Sequence, residues 1–174
     1  MRAIFFDRDG VINAGIPKYK RVDSIDKIEL LPNALKGLRL LASFDYKFFF
    51  VTNQAGIAEG LISRADFNEI NNEVLRQIEP SGIKINKTYV CPHGEDSKCE
   101  CRKPKPKLLR DAASEYDINL ANSWVIGDRL TDIQAGINAG TKTILVQTGA
   151  ILEAPEADFV AADLLEAAKY ISNH

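Results

Sequence analysis

The chain has 174 residues, of which 45% are hydrophobic and 26% charged, with 22 Lys and Arg against 24 Asp and Glu for a formal net charge of −2. That length predicts a single domain over residues 1–174 that buries a full core without disulfide staples. The near-balanced charge argues against a general nucleic-acid binder. No apolar run reaches the roughly 7–15 residues of a secretory segment or the roughly 18 of a membrane span, so a soluble, cytoplasmic, monomeric protein is expected.

Residues 2–6 read as a strand apolar on both faces, which suits a parallel sheet. Residues 9–31 follow as a long irregular stretch, and such loops in compact domains are usually functional. Pro32 opens a helical pattern through Ala34, Leu35, Leu38 and Leu41. A second buried strand spans 46–51. Ser63 with Asp66 predicts a capped helix that runs to about Glu79, where Pro80 and Gly82 stop it. Residues 87–90 form a third strand, 106–116 a helix, 124–126 a fourth strand, 132–138 a helix ended by Gly140, 142–146 a fifth strand and 163–171 a last helix. Strand and helix alternate throughout, which predicts an α/β fold with a doubly wound parallel sheet and no separate cap domain.

In such sheets ligands bind beyond the carboxyl ends of the strands. The first strand ends in Asp7-Arg8-Asp9-Gly10, the second in Thr52-Asn53-Gln54, the third in Cys91-Pro92-His93 leading to Arg102-Lys103, and the fourth in Gly127-Asp128-Arg129. Carboxylates, a hydroxyl and cations therefore converge on one rim. On an extended chain Asp7 and Asp9 point the same way. Together with Asp128 they suit a hard, oxygen-liganded cation, Mg²⁺ before Zn²⁺. Taken alone, each motif has a plainer reading: Asp-x-Asp-Gly as a turn, Thr52-Asn53 as a strand-ending Asx turn, and Lys105 and Lys107 as solvated surface. Asp132 is equally a first-turn acid favoured by the helix dipole or a further member of the carboxylate cluster.

Cys91, His93, Cys99 and Cys101 fall within eleven residues. Three thiolates and an imidazole fit a closed tetrahedral Zn²⁺ site, which is structural because no coordination position stays open. Free thiols or a redox pair are the alternatives. Once His93 is committed there, acid–base chemistry falls to carboxylates.

The motifs Phe6-Asp7-Arg8-Asp9-Gly10-Val11-Ile12-Asn13, Val51-Thr52-Asn53-Gln54, Cys101-Arg102-Lys103-Pro104 and Ile126-Gly127-Asp128 resemble, in order, the four motifs of the haloacid-dehalogenase-like (HAD-like) phosphatases. The Cys-Pro-His and Cys-x-Cys-Arg-Lys-Pro segments are similar to the capless branch that holds heptose 1,7-bisphosphate and histidinol-phosphate phosphatases. The resemblance implies that Asp7 attacks phosphorus to give an aspartyl phosphate, and that Asp9 protonates the leaving group and then activates water. It implies Mg²⁺ on Asp7, the Asp9 main-chain carbonyl and Asp128. It also implies phosphate or substrate contacts from Asn13, Tyr19, Thr52, Asn53, Gln54, Arg102, Lys103 and Arg129. The expected partner is a small sugar phosphate, with no nucleic acid and no membrane. The preferred reaction is removal of the 7-phosphate of the heptose bisphosphate. Histidinol-phosphate hydrolysis, a non-catalytic sugar-phosphate binder and a nucleic-acid contact through the basic zinc loop are the alternatives. The chain departs from the branch at Glu59, where arginine is common, and Arg129 stands where lysine is common. Lys18, Lys20 and Arg21 are the cations available to compensate for Glu59.

Overall fold

The computed structural model describes residues 1–15, 18, 21–149 and 151–174. Six strands form one parallel sheet: β1 (Ala3–Phe6), β2 (Lys47–Asn53), β3 (Ile85–Cys91), β4 (Trp124–Gly127), β5 (Lys142–Val146) and β6 (Phe159–Ala161). Their order is β3-β2-β1-β4-β5-β6. Five helices accompany them: α1 (Ala34–Leu41), α2 (Arg64–Ile78), α3 (Lys107–Tyr116), α4 (Leu130–Ala139) and α5 (Leu164–Ser172).

The alternation of side chains along β1 builds two cores. Ile4 and Phe6 join Leu38, Leu41, Val74, Ile78, Leu164 and Ile171 on one face of the sheet. Ala3 and Phe5 join Phe49, Leu108, Leu109 and Ala135 on the other. Helices α1, α2 and α5 thus cover one side and α3 and α4 the other, as expected of a doubly wound sheet. Among the described residues no helix is long and apolar enough to cross a membrane.

The Ser63–Asp66 capping box is present in both directions: Asp66 N–H donates to Ser63 Oγ at 3.0 Å and Ser63 N–H to Asp66 Oδ2 at 2.7 Å. Several features differ from the sequence reading. α1 starts at Ala34 rather than at Pro32. β2 runs to Asn53 rather than ending at 51, so Thr52 and Asn53 lie within the strand. β6 was not expected; it is a three-residue edge strand, too short for a pattern. α4 starts at Leu130 rather than at 132. β3 extends to Cys91, which pairs in register with Asn53 at the end of β2. The last point matters for function, because it puts a candidate metal ligand on a rigid strand beside the active rim.

The direction of strand succession reverses between β1 and β4, where two adjacent parallel strands send their chains to opposite sides and leave a crevice. Phe6 pairs with Ile126 there, and the Asp7 N–H donates to the Ile126 carbonyl at 2.9 Å.

Candidate active site

The crevice is a cavity of about 690 Å³ whose lining includes Asp7, Asp9, Thr52, Arg102, Lys103 and Asp128. The strand ends expected to converge do converge. Asp7 leaves β1, Asp128 leaves β4, and Asp132 sits in the first turn of α4. Oxygens of these three buried carboxylates lie within 4.8 Å of one another. Gly10, at φ +92°, passes so close to Asp128 that a β-carbon there would overlap its carboxylate. Bare backbone is what admits this acid between β1 and β4.

Lys103 enters the same cluster from the loop after Cys101. It is 4% exposed, and its Nζ lies 2.6 Å from Asp132 Oδ1 and 3.1 Å from Asp7 Oδ1, while donating to the Val51 carbonyl at 2.6 Å. Burial works against its charge, but Asp132 and Asp7 together raise its pKa above the ordinary lysine value. With all three carboxylates ionised against one ammonium, two negative charges would be left in excess in a buried space. Burial, opposed by Lys103 and reinforced by Asp132 and Asp9, pushes Asp7 up to about 6. Burial, reinforced by Asp7 and Asp132, pushes Asp128 up to about 8. Asp128 Oδ1 is buried with no hydrogen-bond partner among the described residues. An all-oxygen donor set, an orphaned carboxylate oxygen and a deficit of two positive charges fit one hard divalent cation.

Asp9 is held by a different set of partners. Arg8, fully buried, donates from Nε to Asp9 Oδ1 at 2.9 Å and from Nη2 to Oδ2 at 3.1 Å. Asn13 Nδ2 adds a bond to Oδ1 at 2.9 Å and Gln54 Nε2 one to Oδ2 at 3.1 Å. Burial would raise the Asp9 pKa, but the charge and hydrogen bonds of Arg8, with Asn13 and Gln54, hold it below the usual carboxylate value.

Behind the cavity wall, Cys91 Sγ lies 3.7 Å from Cys99 Sγ and 3.2 Å from Cys101 Sγ, and His93 Nδ1 lies 3.6 Å from Cys91 Sγ and 3.3 Å from Cys101 Sγ. Ligands on a tetrahedral Zn²⁺ with bonds of about 2.0–2.3 Å stand a little under 4 Å apart, so this arrangement is close to what the ion needs. All three cysteines are free thiols. Burial pushes the Cys91 thiol up to about 12, so a bound cation is what would favour the thiolate there. The loop they would fix carries Glu95, Ser97 and Cys99 into the cavity lining and delivers Arg102 and Lys103.

A family model described as HAD-hydrolase-like matches residues 100–167. The D-glycero-beta-D-manno-heptose-1,7-bisphosphate 7-phosphatase of Bordetella bronchiseptica is 40% identical over 149 residues, which is 86% of this chain and 82% of that protein. The D-glycero-alpha-D-manno-heptose-1,7-bisphosphate 7-phosphatase of Campylobacter jejuni is 42% identical over 145 residues, 83% of this chain and 81% of that protein. The chain belongs to the HAD-like phosphatases. A crystal structure of D,D-heptose 1,7-bisphosphate phosphatase from B. bronchiseptica, complexed with magnesium and phosphate, matches this HAD phosphatase with a TM-score of 0.90 and 37% identity, over 99% of both chains.

The polar residues expected to contact substrate occupy varied positions in this HAD phosphatase. Thr52, Arg102, Lys103 and Arg129 line the main cavity. Asn53 also reaches it, but its side chain is engaged with the main chain of Lys103: Nδ2 donates to the carbonyl and Oδ1 accepts from the N–H, both at 3.1 Å. Gln54 bridges Asp9 and Thr52, with a 3.0 Å bond to Thr52 Oγ1. Asn13 is fully buried, and its amide donates to Asp9 and to the Ala14 carbonyl. Tyr19 lies outside the described residues. For Asp132 the structure combines both readings. Its Oδ2 accepts from the Arg129 N–H at 3.1 Å as an N-terminal cap, and its Oδ1 faces Lys103. Arg8 is the residue that the sequence reading passed over. A charged residue between two acids was the available signal, and strand alternation misdirected it to the opposite face.

Proposed function

We propose that this phosphatase hydrolyses a phosphomonoester through an aspartyl-phosphate intermediate on Asp7, with D-glycero-D-manno-heptose 1,7-bisphosphate as substrate and the 7-phosphate as the group removed. The observation that carries the reading is the buried Asp7–Asp128–Asp132–Lys103 cluster, with its charge deficit of one divalent cation, at the strand crossover. Mg²⁺ on Asp7, Asp128 and the Asp9 main-chain carbonyl would neutralise phosphate charge and let two anions approach.

The protein's own groups then divide the work. The Arg8 N–H, at 2.8 Å, and Lys103 Nζ both engage Asp7 Oδ1, so Oδ2, which has no donor among the described residues, is the oxygen that attacks phosphorus. Lys103, Arg102 and Thr52 hold the phosphoryl oxygens as charge develops. Asp132 has no direct part in this and keeps Lys103 in place. Asp9, oriented by Arg8, Asn13 and Gln54, takes up a proton from solvent and passes it to the leaving alkoxide. Its proton affinity rises when a phosphate dianion arrives beside it. The same carboxylate then takes a proton from the water that cleaves the acyl phosphate. The Cys91–His93–Cys99–Cys101 cluster would hold a structural Zn²⁺, which would fix the loop presenting Arg102 and Lys103.

The heptose bisphosphate is favoured over histidinol phosphate because relatives of that name match most of this chain and of their own length. The test is phosphate release from both anomers of the heptose bisphosphate, from other sugar bisphosphates and from histidinol phosphate. A heptose bisphosphate should lead by kcat/KM, and Asp7→Asn should lower kcat at least about 1,000-fold. Activity near wild type in Asp7→Asn would overturn the mechanism. A lead for histidinol phosphate would overturn the substrate.

A further inference from the structure

A second cavity, of about 370 Å³, opens beside the first and shares Asp9, Asn53, Glu95, Arg102 and Arg129 with it. Its far wall includes Arg21, Gly56 and Glu59, none of which takes part in the chemistry above. A β-carbon at position 56 would stand 2.8 Å from Arg21 Nε and 3.0 Å from its Cδ. The bare backbone of Gly56 is what lets the guanidinium lie across it. Arg21 Nη2 donates to Glu59 Oε2 at 2.6 Å, the two side chains being 24% and 44% exposed. Arg102 reaches the same space and is held by longer bonds, 3.1 Å to the His93 carbonyl and 3.2 Å to Glu95 Oε1. Exposed Arg129 completes the rim.

Three guanidiniums therefore surround a space next to Asp9, and two of them rest on glutamates. A planar guanidinium matches a phosphate with two parallel hydrogen bonds. An ion pair as exposed as Arg21–Glu59 is weak, so a dianion can displace the glutamate. We propose that Arg21, released from Glu59, receives the phosphate that is not hydrolysed, and that Glu59 tunes selectivity by competing for the same guanidinium. The proposal rests on the sugar-bisphosphate reading and assigns the residue pair that enforces it. With a monophosphate, Arg21 stays on Glu59 and the substrate gains nothing from it. With a bisphosphate, Arg21 exchanges one anion for another while the Glu59 carboxylate moves into water.

The experiment compares kcat/KM for D-glycero-D-manno-heptose 1,7-bisphosphate with that for the same heptose carrying only the 7-phosphate. Arg21→Gln should lower the ratio about 10- to 100-fold, as expected for loss of one charge-assisted contact, with the change in KM for the bisphosphate. Arg21→Lys should recover part of it, since the charge returns without the fork. Glu59→Gln should raise the ratio, and it keeps the test alive if Arg21→Gln does not fold. Ratios within about twofold of wild type in the folded variants overturn the proposal. A wild-type enzyme that shows no preference for the bisphosphate overturns the underlying substrate reading instead, and the wild type alone reveals that.

Discussion

Replacing Asp9 by asparagine should cost stability as well as turnover, and the reason lies in Arg8. Its guanidinium is fully buried, its Nη1 already lacks a partner, and its Nε and Nη2 are both committed to the Asp9 carboxylate. Removing one member of a buried ion pair leaves an uncompensated charge and costs about 3–5 kcal/mol. The Asp9 side chain is 21% exposed, so water offsets part of this and the lower end, about 3 kcal/mol, applies. For a chain of this size each kcal/mol moves the midpoint by about 2–4 °C, giving a fall of roughly 6–12 °C. Asp7→Asn should behave oppositely. It removes a carboxylate that burial has pushed up to about 6 beside Asp132 and Asp9, so the metal-free protein should melt at or above the wild-type temperature. Thermal unfolding by circular dichroism in magnesium-free buffer compares the two. Arg8→Met combined with Asp9→Asn should recover most of the loss, because an apolar chain can fill the space beside Phe67, whose ring centre lies 5.4 Å from the guanidinium carbon. An Asp9→Asn protein melting within about 2 °C of wild type would refute the argument.

Three further outcomes follow from the same geometry. Asp128, at about 8, and Asp7, at about 6, both lie above the 3.8 of an unperturbed aspartate, so the metal-free fold holds protons more tightly than the unfolded chain. The contribution of these two groups to stability is therefore fully present below about pH 4 and is lost as pH rises towards 8. Mg²⁺ at about 100 times its Kd should then raise Tm by about 5–11 °C at pH 8 and by clearly less at pH 5.5, and an equal or larger gain at pH 5.5 contradicts the cation site. Cys99→Ser should lower bound zinc by elemental analysis, Tm and kcat/KM together, because Cys99 lies both in the thiol cluster and in the cavity lining; a zinc-free wild type with the melting point of the variant contradicts the metal assignment. Asn53→Ala deletes two hydrogen bonds to the Lys103 main chain and should lower kcat about tenfold with little change in KM, and a change in KM alone would make Asn53 a substrate-binding group instead.

The parts of this site that could be read in the sequence are those that depend on where strands end. Asp7, Thr52, Lys103 and Asp128 each lie at the end of, follow or neighbour a buried strand, and parallel pairing brings those ends to one rim without any knowledge of side-chain packing. What could not be read depends on how polar groups share partners. Strand alternation puts Arg8 opposite Asp7 and Asp9, yet the strand ends at Phe6 and the chain coils so that the N–H groups of Val11, Ile12 and Asn13 all point at the Arg8 carbonyl. That coil returns the guanidinium to Asp9. Asn13, Asn53 and Gln54 look like ligand contacts in a motif, but a buried amide must first satisfy its neighbours, and here those neighbours are Asp9, Lys103 and Thr52. β6 escaped notice because three residues at a sheet edge carry too little periodicity to register.

The two charge units of the site explain why both acids of Asp-x-Asp can serve different ends two residues apart. The Asp9 carboxylate is neutralised within the protein by Arg8, so it needs no cation of its own. Asp7, Asp128 and Asp132 are neutralised only in part by Lys103, and what they lack is the charge of one divalent ion. A cation arriving there would stabilise the proposed nucleophile without taking the Asp9 carboxylate, and a proton moving on that carboxylate would leave the carboxylates around the cation charged. Exchanging the roles would fail. An Asp9 left among the unpaired carboxylates would compete for the cation through its side chain, and an Asp7 clamped by a guanidinium on both oxygens would have no lone pair free to attack phosphorus. The buried arginine is thus what lets a single short turn after β1 present the proposed nucleophile and the proposed proton carrier in opposite electrostatic surroundings.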